Sequence, residues 1–370
     1  MTHWYNYLLR LVIYHGIFLG FTCVYIDVSR RLVKSYSYVK IFVCLQNFVY
    51  ITITTWYLID DFIQFDIRIS ENLVISFAYI GVSFSRLISL VMIILLRFKG
   101  DQILEKCLKM FLSLQRQYFD GILYEANGGN TKIIMIINII IMTANSLITL
   151  IKIVPILLEE AWVYAVIVFW DGYLYALQHY AMLHHGLILS YINYCFSQLN
   201  EKLQYGKVEP PLANVYFRLS KVLQELNALY GSTIFSMLLS ILLTNSISTY
   251  GILINIKNGE NFLEYEYLLP ASVLIFMSID LYLYFLICDR VNETARETQR
   301  VILEYTIRNN NQEVELLFLG RLVLGSNINI CRMFDIDLNS FFVLVGGIVL
   351  NAIILFQIHY TKLIELSYDY

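Results

Sequence analysis

Apolar residues in this chain fall in long unbroken runs rather than in alternation. Eight runs are long enough to cross a bilayer, which takes about 17–25 residues. They cover 4–26, 38–59, 72–96, 133–157, 161–192, 229–256, 267–287 and 338–358. Barrel strands would be about ten residues long with one face alternating, and the stretch 133–148 does not alternate. Lipid offers no partner to a backbone N–H or C=O, so runs of this length must be helices. The pattern predicts an all-α polytopic membrane protein.

The polar positions between the runs set the orientation. The connections 27–37, 97–132, 193–228 and 288–337 carry nineteen Lys and Arg, whereas 60–71, 158–160, 257–266 and 359–370 carry only Arg68, Lys257 and Lys362. Basic loops stay in the cytoplasm, so the long connections are expected inside and the C-terminus outside. Parity leaves two counts: eight spans with the N-terminus outside if 4–26 crosses, or seven with it inside if it does not. This segment carries Arg10, His15, Gly16 and Gly20 and lacks the basic flank and cleavage site of a secretory signal. We read it as interfacial or re-entrant.

The long connections keep a helical period. Ile103, Leu104, Cys107, Leu108 and Phe111 repeat at helical spacing, as do Ile192, Cys195, Phe196, Leu199 and Leu203. Residues 212–229 and 291–305 are also amphipathic, so the membrane helices are expected to project into the cytosol and pack there. Gly128-Gly129 and Pro210-Pro211 mark breaks. No internal repeat is visible, which counts against an inverted-repeat transporter.

Composition narrows the classes. The 370 residues are 58% hydrophobic and 15% charged, against about 45–50% and 25% for soluble domains. A net charge of −3 gives no pull toward nucleic acid. A soluble enzyme, a secreted disulfide scaffold and a DNA binder are set aside. The six cysteines avoid the expected external loops and are read as reduced thiols. The sequon Asn292-Glu293-Thr294 falls in a cytoplasmic loop and is read as unused.

Candidate chemistry is sparse. His179, His184 and His185 form a cluster, but six histidines in all and no H-E-x-x-H give no metal site. We read these rings as polar groups satisfied within the bundle, and expect no metal, no cofactor and no enzyme. Ionisable residues inside apolar runs are functional candidates. Arg86, Lys152, Asp171 and Asp280 are the four, with an Asp–Lys or Asp–Arg pair as the expected arrangement. The outer halves of the helices add aromatic and hydroxyl or amide side chains suited to a small-molecule pocket. The candidates are Tyr79, Phe84, Asn145, Thr149, Trp170, Asp171, Tyr173, Asn245, Ser248 and Phe276.

The last run differs from the rest. It is uncharged, holds Gly346-Gly347, and places Gly347, Asn351, Ile354 and Ile358 on one face with Gln357 at its border. Such a face can line a pore when copies assemble, or can serve as a helix contact within a monomer.

Here the chain resembles the insect gustatory receptors. Cys331-Arg332-Met333-Phe334-Asp335-Ile336-Asp337 is similar to the family's Cys-Gly-Leu-Phe-x-Leu-Asp stretch. Leu350 to Ile358 matches its last-helix motif of Thr-Tyr, five apolar residues and Gln-Phe. Gln357 is retained, while Leu350-Asn351 replaces Thr-Tyr and Ile358 replaces Phe. Residues 14–31 and 289–305 are similar in style to the family's N-terminal stretch and last cytoplasmic loop.

The resemblance implies seven transmembrane helices with a cytoplasmic N-terminus, an extracellular C-terminus and a cytoplasmic helical anchor. It implies a homo- or heterotetrameric ligand-gated cation channel in the plasma membrane, opened by a small-molecule tastant. The departures point to a bitter-type or orphan branch. One domain, 1–370, would comprise an N-terminal segment 1–37, a ligand-binding bundle 38–287, an anchor loop 288–337, a pore helix 338–358 and a tail 359–370. Gly347, Asn351, Ile354, Gln357 and Ile358 would line the pore, with Gln357 and Ile358 at the gate. Lipid is the other partner. The rivals, a G-protein-coupled receptor and a secondary transporter, meet the opposite charge bias in the first case and the lack of repeats in the second.

Overall fold

The structure is a computed structural model, and it describes residues 13–27, 32–63, 73–118, 129–158, 162–205, 210–257, 265–309, 328–330 and 333–368. Among these, two antiparallel hairpins and seven long helices follow in order. They are β1 (Val24–Asp27), β2 (Leu32–Ser35), α1 (Ser37–Ile63), α2 (Leu73–Tyr118), α3 (Gly129–Leu158), α4 (Trp162–Tyr205), α5 (Pro210–Lys257), α6 (Tyr265–Asn309), β3 (Asn329–Ile330), β4 (Phe334–Asp335) and α7 (Leu338–Tyr368). Each helix covers one of the apolar runs from 38–59 onward, to within one residue at its start. Helix α5 begins at Pro210, where a missing N–H costs no intrahelical bond.

Helices α2, α4, α5 and α6 hold 46, 44, 48 and 45 residues. At a rise of about 1.5 Å per residue they run roughly 66–72 Å along the helix path, more than twice a hydrocarbon core. The surplus lies at the end where the Lys- and Arg-rich connections gather. Leu104, Cys107, Leu108, Ile192, Cys195, Phe196 and Leu199 are all buried there. They pack with Val215, Leu219, Val222, Leu226, Val291 and Ala295 in one core. Ile103 departs from the expected stripe and is exposed, because it sits one residue ahead of the buried face set by Leu104, Cys107 and Leu108. Phe111 and Leu203 have side chains outside the described set.

The described cysteines at this end form no disulfide. Cys107 donates to Glu225 Oε2 at 3.2 Å, and burial, then that carboxylate, pushes the thiol up to about 12. Burial does the same for Cys195, also to about 12. Cys44, Cys107, Cys195 and Cys288 form no disulfide, and Cys331 lies outside the described residues.

Among the described residues, three helical stretches are long and apolar enough to cross a bilayer: Ser37–Trp56, Asn214–Ile254 and Leu338–Thr361. A fourth forms if Ile80–Leu96 and Gly100–Met110 of α2, inclined at 55°, make one bent span. Helix α4 is the centre of the bundle. Tyr180, Leu189, Ile192, Phe196 and Leu199 on it have essentially no exposed surface.

The hairpins were not expected from an all-helical pattern. Val24 pairs with Ser35 and Asp27 with Leu32 across β1–β2, where Val-Tyr-Ile supplies β-favouring residues. Asn329 pairs with Asp335 across β3–β4. Asp337 then caps α7, accepting from the Ser340 N–H and hydroxyl at 2.8 Å each.

The described part of the 4–26 run is not one continuous helix. Residues 13–18 are helical, and the turn closes with Phe21 N–H to Gly16 O at 2.9 Å and Gly20 N–H to Ile17 O at 3.0 Å. Gly20 takes φ +72°, as a helix-ending Schellman turn requires. Leu19, Phe21, Thr22, Cys23 and Val24 beyond it are buried.

Candidate functional site

Polar contacts between helices register the bundle along its axis. Gln178 Nε2 on α4 donates to Ser89 Oγ on α2 at 3.2 Å and to Ser240 Oγ on α5 at 3.3 Å. One residue on, His179 Nδ1 lies 2.6 Å from Asp280 Oδ2 on α6. Helices α2, α4 and α6 run one way and α5 the other. Stepping about five residues from this level therefore reaches Phe84, Tyr173, Asn245 and the vicinity of Phe276 together, at about 1.5 Å per residue. On α3, Thr149 abuts Gly172 of α4 so closely that a Cβ at 172 would meet its Oγ1 at 2.4 Å.

Phe84, Thr149, Trp170, Tyr173, Asn245, Ser248 and Phe276 thus share one layer. Trp170, Tyr173 and Asn245 in it are buried. Thr149, Ser248 and Phe276 are half-buried. Phe84 belongs to the layer by height but is 54% exposed, on the outside of the subunit. The side chains of Tyr79, Asn145 and Asp171 lie outside the described set.

The layer has an aromatic corner that sequence reasoning missed. Tyr50 of α1 stands 4.2 Å from the Tyr173 ring and 5.3 Å from the Trp170 ring, centroid to centroid. The Tyr173 hydroxyl donates to Leu19 O at 2.6 Å, and Gln46 Nε2 donates to Phe18 O at 2.7 Å and also contacts the Tyr50 hydroxyl. The N-terminal segment therefore closes this corner from within. An apolar run with Gly16 and Gly20 gave a signal for an unusual segment, but none for its partners.

Below the layer lies a ladder of polar pairs. His184 Nδ1 is 2.8 Å from the Tyr230 hydroxyl and His185 Nδ1 is 2.8 Å from the Tyr284 hydroxyl. The three histidines are thus held by partners on α5 and α6, as polar groups within the bundle. The expected pairing of an intramembrane Asp with Lys or Arg is corrected for Asp280, whose near neighbour is His179. Arg86 lies over the Tyr175 ring at 5.7 Å, and the Lys152 side chain is outside the described set.

Helix α7 presents two sides. Phe341, Ile348 and Ala352 are buried against α5 and α6. Phe342, Val343, Val349, Leu350, Ile353, Ile354 and Ile358 are exposed, with Gly346 and Gln357 among them. Of the candidate pore residues, Ile354, Gln357 and Ile358 lie on the uncovered side. Gly347 and Asn351 are half-buried at the α5 border, where a Cβ at 347 would stand 3.5 Å from Leu242 Cδ1. Leu242 is three residues from Asn245, so the layer and α7 meet on one stretch of α5. At the far end Lys257 of α5 sits 4.0 Å from the Tyr360 ring centroid and 5.9 Å from that of Phe356.

A helical bundle with polar contacts at its centre and an uncovered apolar helix at its side defines a polytopic membrane protein. A sequence model described as 7tm chemosensory receptor matches residues 9–362, and the chain belongs to that family. The resemblance read in the last helix is borne out at this level.

Two solved structures of the insect olfactory receptor OR5 from Machilis hrabei are similar in fold. The one in complex with eugenol has a TM-score of 0.60 at 11% identity, covering 96% of this chain and 99% of that chain. The one without eugenol has a TM-score of 0.58 at 11% identity, covering 95% and 98%. No curated protein sequence matches the chain.

Proposed function

We propose that this chemosensory receptor is a taste receptor of the bitter type, one subunit of a ligand-gated, non-selective cation channel. Four copies, identical or mixed with related subunits, surround a pore lined by α7. Seven helices cross the plasma membrane of a sensory neuron, with the N-terminus in the cytoplasm and the C-terminus outside. The charge asymmetry of the connections supports this orientation. The tastant occupies the layer bounded by Thr149, Trp170, Tyr173, Asn245, Ser248 and Phe276. The complex of OR5 from Machilis hrabei with eugenol supports a small aromatic or apolar ligand.

The observation that carries the reading is the division of α7. One side packs on α5 beside the buried layer, through Gly347 and Leu242. The other side is apolar and uncovered by its own subunit. A ligand that binds the layer more tightly in one arrangement of α5 shifts the population of that arrangement, and α7 moves with it. Rings of Ile354 and Ile358 from several copies can exclude water and ions at rest, and Gln357 supplies the polar group beside them.

The test is current from purified protein in planar bilayers, with no partner protein, on adding eugenol and a panel of bitter compounds. Ligand-evoked cation current is expected. Replacing Ile358 with Ser is expected to raise ligand-free current. No current from the wild type with any compound, together with no leak from I358S, overturns the channel reading. Antibody access to a C-terminal tag on intact cells is expected. Access only after permeabilisation overturns the orientation.

A further inference from the structure

We infer that Asn292 is a positioning residue that ties the base of α7 to α6 and sets the resting state of the pore. This rests on the channel reading above. Asn292 lies on α6, two per cent exposed, one turn beyond the buried Cys288. Its side-chain amide bridges the hairpin that leads into α7. The Ile328 N–H donates to Asn292 Oδ1 at 2.7 Å, and Asn292 Nδ2 donates to Ile336 O at 3.1 Å. Across the same pair, Ile336 N–H donates to Ile328 O at 2.9 Å.

An antiparallel pair of this kind ordinarily exchanges two N–H···O bonds. Here the first is made directly, and the Asn292 amide stands between the groups that would make the second. A primary amide carries the donor and acceptor needed to extend a ladder in this way. Ile328 and Ile336 are themselves buried, at one and two per cent exposure, so neither group can fall back on water without opening the core.

The clasp joins the two parts the mechanism must couple. Helix α6 carries Phe276 at the level of the layer and Asp280 about one turn below it, and Asn292 is on the same unbroken helix. Ile336 is one residue ahead of Asp337, which caps α7 through Ser340. Helix α4 braces the same turn of α6, because Asn200 Nδ2 donates to Thr294 O at 3.3 Å. A displacement of α6 is therefore passed to the first turn of α7 through two hydrogen bonds. The burial also accounts for the sequon, since both ends of the Asn292 amide are occupied inside the protein.

The test compares ligand-free cation uptake into liposomes, per reconstituted copy, for folded protein recovered by gel filtration. The variants are Asn292→Ala, Asn292→Asp, Ile358→Ser and Cys288→Ala. Loss of the clasp frees α7 from the orientation in which its apolar ring closes. Asn292→Ala is expected to raise uptake roughly threefold to tenfold, the shift one or two ordinary hydrogen bonds produce in a two-state balance. Asn292→Asp keeps the acceptor for Ile328 but sets a second carboxyl oxygen against Ile336 O, so its uptake is expected to rise at least as far as that of Asn292→Ala. Cys288→Ala disturbs packing one turn away without touching the clasp, and is expected to leave uptake per copy unchanged.

Leak from Ile358→Ser with none from either Asn292 variant overturns the coupling and leaves the channel reading standing. An equal rise from Cys288→Ala and Asn292→Ala also overturns it, since packing alone would then suffice. No leak from any variant, Ile358→Ser included, overturns the channel reading and the coupling with it.

Discussion

Helices α4 and α7 reverse the rule by which soluble proteins are read. Helix α4 carries Gln178, His179, His184 and His185, and these polar side chains are all buried. Helix α7 is uncharged from Ser340 to Ile358, and much of its apolar surface is exposed. In water the first would tend outward and the second inward. In lipid the acyl chains are as apolar as Leu, so burying Leu gains no transfer energy. A polar group instead needs a partner inside the bundle. Burial in this chain follows hydrogen bonding and packing, and an apolar helix can be left to lipid or to another copy.

The comparison is broken most severely at its polar end. Asp280 and His179 are five and three per cent exposed in their side chains. Replacing His179 with Ala leaves a carboxylate buried without its neighbour, which costs about 3–5 kcal/mol. The expected outcome is loss of monodisperse receptor on detergent extraction and a lowered Tm. The double variant His179→Leu with Asp280→Leu removes both polar side chains and is expected to recover most of the loss. If His179→Ala is as stable as wild type, the ladder does not hold α4 in place and the contrast with α7 loses its basis.

A second prediction concerns shape rather than polarity. Leu189 of α4 has no exposed surface, and Leu189→Ala leaves a cavity that the close-packed centre cannot refill. About 2–3 kcal/mol is expected, near the low end of the range for buried Leu in soluble cores, because the transfer part of that range is absent in lipid. A thermal unfolding series in detergent reads it.

Much of the fold is legible in the sequence, because the bilayer imposes a length on each apolar run. The runs from 38–59 to 338–358 each fall within an observed helix, to within one residue at the start. The ends of the long helices are legible for a related reason: period 3.6 persists beyond the apolar runs, and Leu104, Cys107, Phe196 and Leu199 are buried as their spacing requires. Partnerships are not legible. Nothing local to His179 names Asp280, and nothing near Asn292 names Ile328 and Ile336, because side-chain meetings depend on helix rotation and axial offset. Two-residue strands such as β3 and β4 carry no period to read. The candidate layer is intermediate. Its heights follow from helix direction, but the inward turn of Asn245 and the outward turn of Phe84 needed the structure.

The smallest effect is the sharpest test of the contrast. Leu350 of α7 is 58% exposed within its own subunit, so Leu350→Ala removes the same atoms as Leu189→Ala at a place where they touch little. The expected change in subunit stability is under about 0.5 kcal/mol, read by the same unfolding series on protein held as single subunits in excess detergent. The same substitution is expected to matter once copies meet. Four α7 helices approaching about a common axis would bury this face, and trimming it weakens their packing, the force that joins helices in lipid. Native mass measurement at falling detergent concentration should then show Leu350→Ala assembling less readily than wild type, with Leu189→Ala scaled for its folded fraction as the comparison. A Leu350→Ala subunit that loses as much stability as Leu189→Ala would mean that α7 is packed within its own subunit, and the face assigned to the pore would have to be sought elsewhere.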